Sequence, residues 1–265
     1  MGSHVIGFLA IATLGAPLLF GLFWGAPLVA GELEAGTAQF AWTQSITRRN
    51  WLAVKAGWLL LASAVWGGAI SALVTWWYGP GNALDLEQFD PGHFDLQDLV
   101  PVGYAVFATA LGICAGAVLR RTLPAMAVTL GGFVAVRVLV TLLLRPHYMS
   151  PVTVSYTVTK GYTPRGSFWQ IAQGVRDPSG HLVTMVNNEP ALDGISISRL
   201  PASCAHAGNS LPAACQSALE HYRGFITYQP AGRYWTFQGI ETGVFLVLAA
   251  VALAVTAVLL VRRDA

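Results

Sequence analysis

The chain has 265 residues, of which 54% are hydrophobic and 11% charged, with a formal net charge of +2. Soluble domains carry about 25% charged residues, so this composition excludes an ordinary soluble protein, and so small a net charge gives no ground for nucleic-acid binding. Several long apolar runs point to a polytopic membrane protein instead.

A membrane span needs about 20 apolar residues, and five segments qualify. The first covers 5–30 and holds Pro17 and Pro27, each in a copy of Gly-Ala-Pro-Leu. Proline removes a backbone donor and kinks a helix, so this segment is expected to divide into two pieces. MGSH ahead of it lacks the lysine or arginine of a signal-peptide n-region, and the apolar run is too long for an h-region. A polar stretch over 31–50 follows, with Glu32, Glu34, Gly36, Thr37, Arg48 and Arg49. The second span covers 51–78. Next comes an acidic loop, 79–99, holding Asp85, Glu87, Asp90, Asp95 and Asp98 and neither lysine nor arginine. The third span (100–119) and fourth (123–144) meet at Arg120 and Arg121. A region of about 95 residues, 145–239, precedes the fifth span at 240–261, and Arg262 and Arg263 follow that.

Basic joins mark the cytoplasmic side. The alternation of basic, acidic, basic, long and basic segments puts 31–50, 120–121 and the C-terminus in the cytoplasm, and 79–99 and 145–239 outside. Long loops cross largely regardless of charge, so the seven basic residues of 145–239 are compatible with this. Five spans then leave the N-terminus outside. Either a preceding helix is missing from the chain, or the first segment inserts as a reverse signal anchor. Trp51, Trp76, Trp77, Tyr78, Tyr234, Trp235 and Phe237 sit at span ends and read as interfacial anchors.

The expected fold class is an all-α polytopic membrane protein with a small mixed α/β extracellular domain. Its organisation would be 1–144 (four spans and a cytoplasmic loop), 145–239 (outer domain) and 240–265 (last span and tail). Within the outer domain, 152–159 alternates valine with polar residues and predicts a strand. A second strand is predicted at 181–186, and a short helix at 211–222 with Ser210 as its N-cap. Cys204 and Cys215 fall here. Outside the cell a disulfide persists, and this reading leads over a zinc site built with His206 and His221, whose spacing is looser than usual. Cys114 lies in the third span and reads as a small packing residue.

The sequence lacks a phosphate-binding G-x-x-x-x-G-K-[ST] loop, H-E-x-x-H and G-x-S-x-G. Neither an ATPase site nor a cofactor or metal site is expected in this chain, and the acidic loop reads as a solvated surface. Arg137 in the fourth span and Glu241 at the start of the fifth are the notable intramembrane charges. Such groups usually face a partner or a cavity. Two outcomes are open: the two pair with each other, or Arg137 snorkels to the outer interface.

PLVAGELEAGTAQFAWTQSITRRNWLAVK (27–55) resembles the first cytoplasmic loop of ABC-2 type transporter permeases, with Glu32, Glu34, Gly36 and Thr37 in its Glu-x-x-x-Gly-Thr region. VPVGYAVFATALGICAGAVLRRTLPAMAVTL (100–130) and ITYQPAGRYWTFQGIET (226–242) resemble a permease group of high-GC Gram-positive bacteria. The resemblance implies six helices per permease, two permease copies embedded in membrane lipid and two cytoplasmic ATPase subunits that bind the ATP. The family's first helix has no counterpart here. It also implies that the 31–50 elbow docks on an ATPase subunit, with Glu32, Glu34, Gly36 and Thr37 as coupling residues, and that substrate moves outward across the cell membrane. From another class, a membrane-anchored sensor or immunity protein would use the outer domain to bind a ligand. A neighbouring ATPase gene would favour transport, and a neighbouring kinase or sigma-factor gene would favour sensing.

Overall fold

The computed structural model describes residues 15–36, 47–77, 89, 91–186, 189–191 and 219–262, with single positions at 213 and 217. The chain divides into two compact units. Met1–Tyr148 and Tyr234–Ala265 form a helical unit, and Met149–Arg233 forms a second unit.

The helical unit starts with helical residues 15–20, widens into a π-helical turn at Gly21–Gly25 and continues as α1 (Ala26–Glu34). It goes on with α2 (Arg48–Trp77), the short α3 (Pro91–Phe94), α4 (Val100–Leu119), α5 (Thr122–Leu139) and α6 (Tyr234–Arg262). Among the described residues, four helices are long and apolar enough to cross a membrane: Asn50–Trp76, Val100–Leu119, Thr122–His147 and Ala231–Leu260. The first expected span, 5–30, is described from residue 15 onward. The last span begins earlier than the apolar run suggested, because Gln238 and Glu241 lie within its helix and are buried there.

The prolines of the first segment produce a wider turn where a kink was expected. Pro27 would clash with the carbonyl of Phe23 in a regular α-helix. The π turn at Gly21–Gly25 holds that carbonyl and opens the ladder at this point.

α4 is the central helix and packs against α1, α2, α5 and α6. Its small residues explain this. Helices in a membrane associate by close backbone approach. A Cβ on Gly112 would fall 2.6 Å from the Gly21 carbonyl oxygen, and one on Gly116 would fall 2.6 Å from that of Ala26. On the other flank Gly67 brings α2 against Pro101, where a Cβ would meet a backbone oxygen at 2.9 Å. α4 stops at Arg120, whose φ of 54° is left-handed and whose N–H returns to the Gly116 carbonyl. Arg121 is extended, and α5 begins one residue later.

α5 does not end as a plain helix. It passes into a second π-helical turn, Val140–Leu144, and a 3-10 turn, Arg145–His147. This carries Arg145 into the helical unit and not, as expected, into the outer region.

In the second unit the described residues form an antiparallel sheet in the order β1-β5-β2-β3-β4. The strands are β1 (Val152–Thr157), β2 (Trp169–Arg176), β3 (Leu182–Val186), β4 (Glu189–Ala191) and β5 (Arg223–Gln229). β5 lies between β1 and β2, with Val154 opposite Ile226 and Gly174 opposite Phe225. Gly224 is required opposite β1, since a Cβ there would meet the Tyr156 ring at 2.5 Å. Two strands were expected, near β1 and β3. The predicted helix at 211–222, with Ser210, lies for the most part outside the described residues.

Candidate functional site

Two polar constellations stand out in the helical unit. The first is the elbow between the first segment and α2. Glu32 forms an ion pair with Lys55 of α2. The Lys55 ammonium also lies 4.8 Å from the centre of the Trp51 ring. Glu34 reaches the start of α5, where its Oε2 accepts the Thr122 backbone N–H at 3.0 Å and the Thr122 hydroxyl at 2.9 Å. Arg121, the residue at the N-cap position of α5, makes no side-chain cap, so a carboxylate from another helix satisfies an orphan donor there. The Thr122 backbone N–H, then its hydroxyl, hold the Glu34 carboxyl below its usual pKa, with a smaller contribution from Arg121. Glu34 is therefore a carboxylate at neutral pH. Gly36 has a φ of +69°, the left-handed region that glycine occupies without strain. Thr37 lies outside the described residues.

The second constellation is a buried charge cluster where α4, α5, α6 and the segment after α3 meet. Arg145 is 2% exposed and Glu241 is 0% exposed. Arg145 Nε donates to Glu241 Oε2 at 2.8 Å, and its Nη2 donates to Glu241 Oε1 at 2.5 Å. The same Nη2 also reaches Asp95 Oδ1. Arg137 Nη2 donates to Asp95 Oδ2 at 2.7 Å. The Tyr104 hydroxyl sits among them, 2.7 Å from Glu241 Oε1 and 3.1 Å from Asp95 Oδ1. Two guanidiniums thus meet two carboxylates, and the cluster is electrically balanced. Rings complete it: the Arg145 guanidinium lies 4.7 Å from the Phe94 ring centre, and that of Arg137 lies 5.1 Å from Tyr104.

Neighbouring polar groups fix the segment that presents Asp95. Gln238 of α6 accepts the backbone N–H groups of Leu99 and Val100 at 3.1 and 3.0 Å and donates to the Phe94 carbonyl at 3.1 Å. The N-cap residue Leu99 caps nothing with its side chain, so α4, like α5, is capped from another helix. Tyr234 donates to Asp98 Oδ2 at 2.5 Å, and Ser71 donates to the Asp98 carbonyl at 2.7 Å.

Of the two outcomes left open for Arg137, a direct pair with Glu241 and snorkelling to the outer interface, the direct pair does not form. Arg145 takes Glu241, Arg137 takes Asp95, and Asp95 with Tyr104 joins the two pairs. Asp95, read from sequence as part of a solvated acidic loop, is 7% exposed. Charge balance was the available signal: two arginines and two acids sit near neighbouring span ends, in a chain with few charges elsewhere in its spans. Cys114 is a free thiol in α4. Cys204, Cys215 and His206 lie outside the described residues.

No curated protein and no solved structure matches the chain. The model of the ABC-2 membrane transporter related family matches residues 2–145, more than half of the 265. The match runs from the first segment through the elbow to Arg145 itself, and the chain belongs to that family, as a multi-pass ABC-2 type permease of the plasma membrane.

Proposed function

We propose that this permease is the transmembrane subunit of an ATP-binding cassette exporter that works with a separate cytoplasmic ATPase. The observation that carries the reading is the double attachment of the elbow. Glu32 ties it to α2 through Lys55, and Glu34 ties it to α5 through Thr122. A force applied to residues 31–50 reaches two spans at once. ATP binding would draw the ATPase subunits together and shift the elbow, and α2 and α5 would follow. A ligand shifts such an equilibrium only through differential contact with the two states. The elbow is the part of this chain whose contacts would change with the nucleotide state. In this reading the elbow and the 120–121 join face the cytoplasm and the region expected at 145–239 faces outside, which the basic joins support. The working assembly would contain a second permease copy within membrane lipid, and ATP would be held by the partner subunits.

The test is co-purification. The chain expressed with its ATPase should retain that subunit and stimulate hydrolysis. Replacing Glu32 by Ala and Gly36 by Val should reduce both. Intact complex formation and intact stimulation in the double variant would remove the elbow from the coupling path.

A further inference from the structure

α5 is only lightly embedded: Ala125, Thr129 and Phe133 are its buried residues, and Leu123, Val134 and Val138 are exposed. Between its outer half and Gly15 and Leu18 of the first segment lies a groove of about 480 Å³. Leu18, Phe133, Val134, Val138 and Leu142 supply apolar walls, and Arg137 and Asp95 of the charge cluster supply charged ones. The volume falls within the range of about 300–1,000 Å³ usual for small-molecule sites, and a mostly apolar lining with a few fixed polar groups is their common form. Arg137 lies 15 residues beyond Thr122, about 22 Å of helical rise, so it sits in the outer half of a hydrocarbon core about 30 Å thick.

The hydrogen-bonding capacity of the two charged residues differs. Asp95 already receives Arg137, Arg145 and the Tyr104 hydroxyl. A guanidinium has five N–H groups, and among the described residues Arg137 donates through Nη2 to Asp95 while also facing Tyr104. Its side chain is 20% exposed, against 8% for Asp95. Among the described residues the groove therefore offers Arg137 N–H donors, with the Thr141 hydroxyl beside them, in a cluster whose charges balance. Glu241 holds Arg145 through two bonds, so the cluster keeps its shape when Arg137 turns a free N–H toward a ligand.

We propose that this groove is the cargo site, and that the cargo is an amphiphile: an apolar chain lying along α5, with an oxyanion head, carboxylate or phosphate, hydrogen-bonded to Arg137. That this occupant is cargo rests on the permease reading above. The site itself does not, because binding is measured without an ATPase.

The full chain in phosphatidylcholine nanodiscs is irradiated with two photo-activatable long-chain alkyl probes of equal chain length, one ending in phosphate and one in glucoside. Labelled peptides are then mapped. The phosphate probe should label residues 133–142 in preference to the glucoside, on the order of tenfold, the ratio that one charge-assisted hydrogen bond supports. Arg137→Gln should abolish the preference. Val138→Trp, which fills the groove without touching the charge cluster, should exclude both probes. Equal labelling by the two probes in the wild type, or a preference that survives Arg137→Gln, would overturn the site. If Arg137→Gln does not fold, Val138→Trp decides, and unchanged labelling of 133–142 in that variant overturns the proposal. Failure here leaves the elbow coupling untouched. Normal probe binding by a chain that never engages an ATPase would instead remove the ATPase-driven exporter reading and leave the site.

Discussion

Among the described residues Arg145 is the largest fully buried side chain of the helical unit. It is the counter-charge for Glu241, which is fully buried, and it shares Asp95 with Arg137. Removing one member of a buried ion pair leaves its partner as an uncompensated charge, a loss of about 3–5 kcal/mol. Arg145→Leu should therefore lower stability by about that amount in thermal unfolding of the detergent-solubilised protein. Arg145→Leu combined with Glu241→Leu should recover much of the loss, since replacing both partners by apolar groups is often neutral. A single variant as stable as the wild type would show that the pair does not hold the helices. Sequence identified Arg137 and Glu241 as costly intramembrane charges and left open whether they pair or Arg137 snorkels; in the structure each takes another partner. The pairs that form link positions 42 and 96 residues apart in the chain. Spacing along one helix carries no information about a partner on another. Glu34, expected from the resemblance as a coupling residue, caps α5, a helix other than its own, 88 residues away in the chain.

At the scale of elements, the long helices were legible and their irregularities were not. Apolar length gives a span directly. The π turn at Val140–Leu144 leaves no apolar signature, yet it decides which way Arg145 faces. An α-helix turns about 100° per residue, so on an unbroken helix Arg145 would lie about 80° from Arg137. One extra residue in the wide turn makes it the equivalent of the seventh residue, about 20° away. That rotation is what lets both arginines reach Asp95. In the second unit β1 announced itself by alternation, whereas β2 and β5 did not. The exposed and buried positions of β2 do not alternate cleanly, and its pairing with β5 is interrupted between Gln170 and Ala172. Glycines give the sharpest test of the packing. Gly112→Val should force α4 away from the first segment, because the obstructing atoms are backbone. The expected loss is about 1–3 kcal/mol or more in thermal unfolding. Gly131→Val, with nothing within 4 Å of its Cβ position, should stay within about 0.5 kcal/mol of the wild type. Equal effects at the two positions would contradict the helix contact.

At the scale of the whole molecule, the chain combines a helical unit that carries the family's features with a second, sheet-forming unit inserted between α5 and α6. Membrane character and family were open to reading because both are written in local runs: apolar length and the 27–55 elbow. Glu34 ties those runs together, bridging from the elbow to α5, and the proposed coupling would use that tie. The most direct measurement places spin labels at Leu123 on α5 and Val54 on α2, both exposed, in the complex with the ATPase and on a background without native cysteines. The distance between the labels is read with and without a non-hydrolysable ATP analogue. Nucleotide should change that distance in the wild type. In Glu34→Ala the ATPase should remain bound and the change should vanish. A wild-type distance indifferent to nucleotide, or an undiminished change in Glu34→Ala, would contradict transmission through the elbow.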